Sequence, residues 1–145
     1  IGGSSGSTAG GIKTTTFGLM FMTILCGIKG REDTEIFKRR ISKDNIYKAL
    51  AIVVIGFSIV TVVTMLLSIT DSSNSFENLL YEATSAFGTV GLTLGITTKL
   101  SSAGKIIVAL TMYAGRVGPL TLALALSNKK SSRNIKYPEG KVLVG

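Results

Sequence analysis

Two glycine-rich segments of the chain share one pattern, and their backbone could bind an ion. Residues 3–10 (the first strip) and residues 88–95 (the second strip) both read G-x-x-G-x-T-x-G. Glycine allows backbone conformations that aim several carbonyl oxygens at one point, and such carbonyls replace the hydration shell of a cation in ion-selectivity filters. Because the pattern occurs twice, it predicts one structural unit that is used more than once.

The first strip also has some features of a nucleotide-phosphate loop. Residues 6–14 contain G-x-x-x-x-G with a lysine and a threonine further on, the residue types that cradle phosphates. That loop requires the lysine directly after the glycine, whereas Ile12 separates Gly11 from Lys13. A membrane-embedded nucleotide-binding or structural protein that uses glycine-rich loops is therefore the alternative, less favoured hypothesis.

The remaining reactive residue types argue against an enzyme. The chain contains no histidine, and no group of its acidic residues has the spacing of metal ligands. Its single cysteine, Cys26, excludes an internal disulfide. We predict no catalytic residues and no covalent cofactor.

The elements that must position the two strips are membrane helices. Of the 145 residues, 46% are hydrophobic and only 17% are charged. Residues 49–69 carry no charge, and a helix of that length rises about 30 Å, the thickness of a bilayer core. Residues 106–126 carry one charge, Arg116, near their middle. A charge at that depth costs about 2.5–3.5 kcal/mol, so we expect Arg116 to face water or a partner group.

Shorter segments complete the unit. Residues 76–87 are amphipathic at helical spacing but too short to cross a bilayer, which predicts a re-entrant helix that leads into the second strip. Ser42 and Ser75 are predicted to begin the helices that follow them. Residues 12–28 are apolar but rich in threonine and glycine, and we predict a weak, interrupted helix there.

The positive charge lies in two clusters, although the net charge of +8 alone could suggest nucleic acid. The clusters occupy residues 29–48 and 129–145, next to the apolar segments, as the positive-inside rule expects of cytoplasmic segments. Aromatic residues are not interleaved at stacking spacing, so nucleic-acid binding is disfavoured. The chain begins inside a motif, and we expect it to be the C-terminal piece of a longer membrane protein.

Three strings carry a family resemblance: GGSSGSTAGGIK at residues 2–13, SAFGTVGLT at 85–93 and AGRVGPL at 114–120. They resemble the Trk/Ktr/HKT superfamily of potassium transporters, and the ending YPEGKVLVG is similar to the membrane subunit of the Ktr branch. The resemblance implies an all-α membrane protein built from M1-P-M2 repeats, each with an outer helix, a re-entrant pore helix with its filter loop, and an inner helix. Residues 1–40 would end the third repeat, residues 41–127 would form the fourth, and residues 128–145 would be a cytoplasmic tail.

The resemblance also implies site residues and partners. Carbonyl groups of the two strips would bind potassium around Gly6 and Gly91, and sodium is a second candidate ion because the strips differ. A loop at residues 16–23 that breaks the third repeat's inner helix, together with Arg116, would gate the path. A homodimer and a cytoplasmic ring of nucleotide-binding, KtrA-like regulatory subunits would complete the assembly. The implied filter residues are Ser4, Ser5, Gly6, Ser7, Thr89, Val90, Gly91 and Leu92, and the implied gate residues are Lys13, Thr16, Phe17, Gly18, Thr23 and Arg116.

Overall fold

The computed structural model describes residues 2–4, 8–30, 35–36 and 39–118, and these residues form four helices and one short strand pair. The helices are α1 (Thr14–Ile28), α2 (Lys43–Thr70), α3 (Phe76–Gly88) and α4 (Ser102–Val117). Between α1 and α2, strands β1 (Glu35–Ile36) and β2 (Arg39–Arg40) pair antiparallel, with Glu35 opposite Arg40.

The long apolar helix predicted for residues 49–69 is confirmed as α2. Among the described helices, α2 is the one long and apolar enough to cross a bilayer. It starts earlier than the apolar run because polar residues continue the helix N-terminally: Ser42 occupies the N-cap position and Asp44 lies in the first turn. An acid there is favoured by the partial positive charge of a helix N-terminus.

The hydrophobic core lies where α2, α3 and α4 pack together. Leu67 of α2 and Leu79 of α3 are almost completely buried, and burial of such side chains stabilises a fold by about 1.5–3 kcal/mol each. Ile96 and Leu100, which follow the second strip in sequence, belong to the same cluster. The remaining core members are Val63, Ala83, Ala86 and Val108. The segment after the second strip is thus anchored by its own apolar residues.

The predicted interruption of the helix at residues 16–23 is wrong, because α1 runs without a break from Thr14 to Ile28. The hydroxyl of Thr23 donates to the carbonyl of Leu19 at 2.8 Å, so this threonine is accommodated within the helix. Gly18 has nothing within 4 Å of its Cβ position, and an isolated helical glycine costs only about 1 kcal/mol. Weak helix propensity here lowers stability without ending the helix.

The last helix is shorter than predicted. We expected it to cover residues 103–126 with Arg116 near its middle, but α4 ends at Val117. Gly118 follows with φ 93°, a conformation that glycine adopts far more readily than other residues. Arg116 therefore lies in the last turn of α4 and not at mid-helix. Residues 119–126 lie outside the described residues.

Candidate functional site

The second strip leaves α3 through a sharp left-handed turn. Thr89 is the C-cap of α3, with φ 51°, and its N–H donates to the carbonyl of Ala86 at 3.0 Å. The N–H of Val90 donates to the carbonyl of Ser85, also at 3.0 Å. Positive φ is uncommon for a β-branched residue, so the surrounding contacts must hold Thr89 in place.

Two glycines of the repeated pattern have the backbone conformation that the pattern predicts. Gly91 has φ 78° and Gly95 has φ 84°, both in the region that favours glycine. Val90, Leu92 and Leu94, between and beside them, are exposed in this chain. The second strip is therefore an irregular extended segment whose turns require glycine.

The carbonyl groups of the second strip fall into two classes. The Leu92 carbonyl accepts a hydrogen bond from the Ser85 hydroxyl at 2.5 Å, so α3 engages it from behind. Within residues 2–4, 8–30, 35–36 and 39–118, no donor bonds the carbonyl oxygens of residues 89–91. These three and Leu92 are the predicted filter residues of this strip, and of the four only the Leu92 carbonyl accepts a hydrogen bond within the described residues.

Buried Glu82 holds the far side of the second strip. Its Oε2 accepts a hydrogen bond from the Thr93 hydroxyl at 2.9 Å, and its Oε1 accepts one from the Thr97 hydroxyl at 2.6 Å. The Thr93 oxygen also accepts from the N–H of Gly95 at 3.1 Å. One carboxylate on α3 thereby holds the chain at two residues, Thr93 and Thr97.

The two strips meet next to α4. The N–H of Gly10 donates to the Thr89 hydroxyl at 2.7 Å, and the N–H of Gly11 donates to the carbonyl of Gly115 at 3.0 Å. A side chain at Gly10 would lie 2.6 Å from the Thr89 methyl group, and one at Gly115 would overlap the Phe87 carbonyl. Backbones approach so closely here that only glycine fits.

The first strip is described only at its ends. The N–H of Gly2 donates to the carbonyl of Ile12 at 2.7 Å, and the N–H of Thr14 donates to the carbonyl of Gly3 at 3.3 Å, which brings the two ends together. Ser4 is exposed. The predicted filter residues Ser5, Gly6 and Ser7 lie outside the described residues.

The predicted gate residues flank the contact between the strips. Lys13 is the N-cap of α1, two residues after Gly11, and its Nζ donates to the carbonyl of Ala9. Arg116 is exposed and directly follows Gly115 on α4. The other members, Thr16, Phe17, Gly18 and Thr23, lie along the exposed or half-buried surface of α1. Lys13 and Arg116 therefore lie within two residues of the Gly11–Gly115 hydrogen bond, whereas the other four lie along a helix.

A second carboxylate, Asp71, ties the end of α2 to the start of α4. It accepts hydrogen bonds from the backbone N–H of Ser101 at 2.6 Å, the Ser101 hydroxyl at 3.0 Å and the Thr70 hydroxyl at 2.8 Å. The Ser101 backbone N–H lowers the pKa of Asp71 below its usual value, with smaller contributions from the hydroxyls and from Lys105. Burial opposes this shift without cancelling it.

Sequence reasoning missed Glu82 and Asp71. The signal for Glu82 was available, because it lies three residues after Leu79 and four before Ala86, on the core-facing side of an amphipathic helix. An acid on that side needs hydrogen-bond partners, and the sequence offers Thr93 near the end of the strip and Thr97 just after it. Groups of three or more residues suited to hold a metal are absent from the described part of the chain.

Comparison with known proteins places this geometry in context. The TrkH family, described as cation transport protein, matches residues 1–137. Ktr system potassium uptake protein B of Bacillus subtilis is 43% identical over 145 residues, all of this chain and 32% of the relative. Its namesake in Vibrio alginolyticus is 43% identical over 145 residues, again all of this chain and 31% of that relative. The potassium/sodium uptake protein NtpJ of Enterococcus hirae is 40% identical over 150 residues, all of this chain and 33% of that relative. The chain spans about a third of the length of these relatives.

Proposed function

The chain belongs to the TrkH family of cation transport proteins, and we propose that it forms part of the ion path of a potassium uptake protein in the cell membrane. Relatives similar to the whole chain are named potassium uptake or potassium/sodium uptake proteins. On this proposal the chain is a transport element without a catalytic role, and the cation is its substrate.

The observation that carries the proposal is the geometry of the second strip. Glycines hold left-handed turns at Gly91 and Gly95, side chains of α3 hold the strip from behind, and the carbonyls of residues 89–91 accept no hydrogen bond from the described donors. Such a row of carbonyls can replace a cation's hydration shell. We assign Thr89, Val90 and Gly91, with Ser4, Ser5, Gly6 and Ser7 of the first strip, to the filter.

The ion is proposed to be potassium, with sodium as a second permeant ion. The first strip reads Ser-Ser-Gly-Ser where the second reads Thr-Val-Gly-Leu, so the carbonyl groups around the path are not equivalent. Unequal coordination weakens the preference for one ion size. A relative named potassium/sodium uptake protein agrees with both ions.

The gate is proposed at the contact between the strips. Lys13 and Arg116 are two cations within two residues of the Gly11–Gly115 hydrogen bond. Positive charge near a cation path raises the barrier to passage. Because α1 is continuous, we now assign Thr16, Phe17, Gly18 and Thr23 to the gate as one helical surface, and not as a loop.

The proposed assembly follows from the charge distribution and the resemblance to Ktr proteins. The basic segments at residues 29–48 and 129–145 would lie on the cytoplasmic side. There they could dock a nucleotide-binding regulatory ring of the KtrA type, and two copies of the membrane subunit would form the dimer.

The decisive experiment compares two glycine substitutions in cells that lack their own potassium uptake systems, made in the complete protein that carries this chain. Gly91→Ser changes the strip, whereas Gly30→Ser changes a glycine after α1 with a similar φ of 66° and equally open space. Both substitutions impose comparable backbone strain. We expect Gly91→Ser to reduce potassium uptake or admit sodium about tenfold more readily, a change of about 1.4 kcal/mol, and Gly30→Ser to leave both unchanged.

The same assay separates the nucleotide-binding alternative. That hypothesis predicts that Lys13→Ala abolishes activity and that Gly91→Ser has no effect on ion flux. The filter assignment predicts instead that Gly91→Ser changes ion flux or selectivity and that Lys13→Ala changes only gating. Uptake that is insensitive to Gly91→Ser would remove the second strip from the ion path.

A further inference from the structure

Glu82 is a buried carboxylate that the proposed ion path does not use directly. Only 4% of its surface is exposed, and both of its oxygens accept hydrogen bonds from threonine hydroxyls, one in the last part of the strip (Thr93) and one just after it (Thr97). The Thr93 and Thr97 hydroxyl oxygens lie 2.8 Å apart, so the carboxylate and the two hydroxyls form a closed triangle. The chain from Thr93 to Thr97 is therefore fixed against α3 at two points.

A carboxylate is a costly choice for this position if it serves packing alone. Its neighbours on α3, Leu79, Ala83 and Ala86, are buried apolar residues of the core. An apolar residue in place of Glu82 would avoid the desolvation of a charged group, and buried acids are retained where hydrogen bonds compensate. Hydrogen bonds from hydroxyls to a carboxylate are stronger than those between neutral groups. They therefore hold Thr93 and Thr97 in position as well as adding stability.

The hydrogen bonds of Glu82 lie close in sequence to the carbonyls of residues 89–91, which are proposed to bind the ion. Thr93 is two residues from Gly91, and the intervening Leu92 carbonyl is held by Ser85 of the same helix. Movement of residues 93–97 away from α3 would therefore change the spacing of the carbonyls at residues 89–91. The spacing and stiffness of such carbonyls affect how well a filter separates potassium from the smaller sodium ion.

We propose that Glu82 is a positioning residue that sets the potassium-over-sodium preference of the second strip through Thr93 and Thr97. This inference rests on the proposed function, because it assumes that the second strip lines the ion path.

The test measures the ratio of potassium to sodium uptake in the complete protein, with wild type, Glu82→Gln, Glu82→Ala and a matched control. The control is Glu77→Ala, an exposed acid in the first turn of the same helix. Loss of one or two hydrogen bonds to a charged group is expected to lower the ratio about tenfold in Glu82→Ala. Glu82→Gln, which keeps one acceptor oxygen, should fall between Glu82→Ala and wild type, and Glu77→Ala should match wild type.

The ratio distinguishes positioning from a merely structural role. A substitution that only lowers folding yield reduces the uptake of both ions in proportion and leaves their ratio unchanged. If Glu82→Ala fails to reach the membrane, Thr97→Val tests the same contact from the side of the strip. Its neighbour Thr98, which is exposed, supplies the control Thr98→Val. Thr97→Ser, which keeps the hydroxyl, should restore the wild-type ratio.

The outcomes separate this inference from the proposal on which it rests. A lowered ratio in Glu82→Ala or Thr97→Val, with both controls unchanged, supports it. A wild-type ratio in those variants overturns it and leaves the filter assignment standing. A complete protein that takes up no potassium at all would overturn the proposed function, and this inference with it.

Discussion

The two ends of the second strip are held in place by different chemistry. At its start, which we call the glycine end (residues 87–89), backbone meets backbone: Gly115 lies against Phe87, and Gly10 lies against Thr89. At its finish, the carboxylate end (residues 93–101), two buried acids hold the chain through hydroxyl and N–H donors. Between them lie the carbonyls proposed to bind the ion.

The two ends differ in how well they tolerate substitution. Glycine contacts between backbones have no side chain that could rotate away, so any added atom must move a helix or a strip. Carboxylate contacts can be weakened in steps, through an amide, a shorter side chain or a lost hydroxyl. We therefore expect a side chain added at Gly10 or Gly115 to disrupt the packing most, and single substitutions among the hydrogen-bonded side chains to cause smaller, graded losses.

The largest effect is expected at Gly115, because its Cβ would lie 2.8 Å from the Phe87 carbonyl carbon and would overlap the carbonyl oxygen. Gly115→Ala should destabilise the packing of α4 on α3 by about 3 kcal/mol or more, the upper range for overpacking. Membrane abundance and potassium uptake of the complete protein measure this loss, and we expect both to fall sharply.

The matched control for this substitution is Gly27→Ala on α1, where the Cβ position is open. There, alanine is expected to be neutral or to stabilise the helix by about 0.5–1 kcal/mol. If Gly115→Ala behaved like Gly27→Ala, the close approach at the glycine end would be wrong.

A smaller, pH-dependent effect is expected at Asp71. Its pKa is lowered in the folded chain, so its contribution to stability is present above the unfolded pKa of about 3.9 and is lost as pH falls through the folded pKa. Asp71→Asn should lower stability by about 1–3 kcal/mol at neutral pH, because the charged acceptor of the Ser101 N–H is lost. Thermal unfolding in detergent at neutral and acidic pH measures both changes.

The role of the Asp71 charge is checked by measuring how the stability difference between wild type and Asp71→Asn changes with pH. The difference in stability between wild type and Asp71→Asn should shrink as the pH falls from about 4 through the lower folded pKa of Asp71, because the unfolded chain binds the proton first and the folded chain only afterwards. A difference that stayed constant over the whole series would show that the charge of Asp71 does not stabilise the carboxylate end.

The smallest effect is expected at Thr89. Thr89→Val keeps the shape and the β-branched strain of the left-handed turn but removes the acceptor for the Gly10 N–H. Loss of one such hydrogen bond costs about 0.5–1.5 kcal/mol. Thr89→Ser, which keeps the hydroxyl, is the control in the same unfolding assay. Destabilisation by serine and not by valine would mean that the methyl group, rather than the hydrogen bond, joins the two strips.

Much of the helical layout could be predicted from the sequence, because hydropathy and length are local properties. The helices α2 and α3 begin directly after the predicted caps Ser42 and Ser75. The left-handed glycines of the second strip follow equally directly from their residue type. The predictions are wrong where local signals are weak: the threonines of α1 predict a break that the helix does not have, and hydropathy alone does not predict that α4 ends before Gly118.

The sequence by itself determined that two glycine-rich strips with one pattern adjoin apolar helices, since pattern, charge and hydropathy belong to residues in order. Only the tertiary structure decided that Gly10 meets Thr89 beside Gly115, and that Glu82 reaches Thr93 and Thr97. These contacts join residues far apart in the chain, and which of them form depends on how α3 and α4 pack around a shared core. Burial and hydrogen-bond geometry, which no single segment carries, therefore distinguish the acids that hold the second strip from those that face solvent.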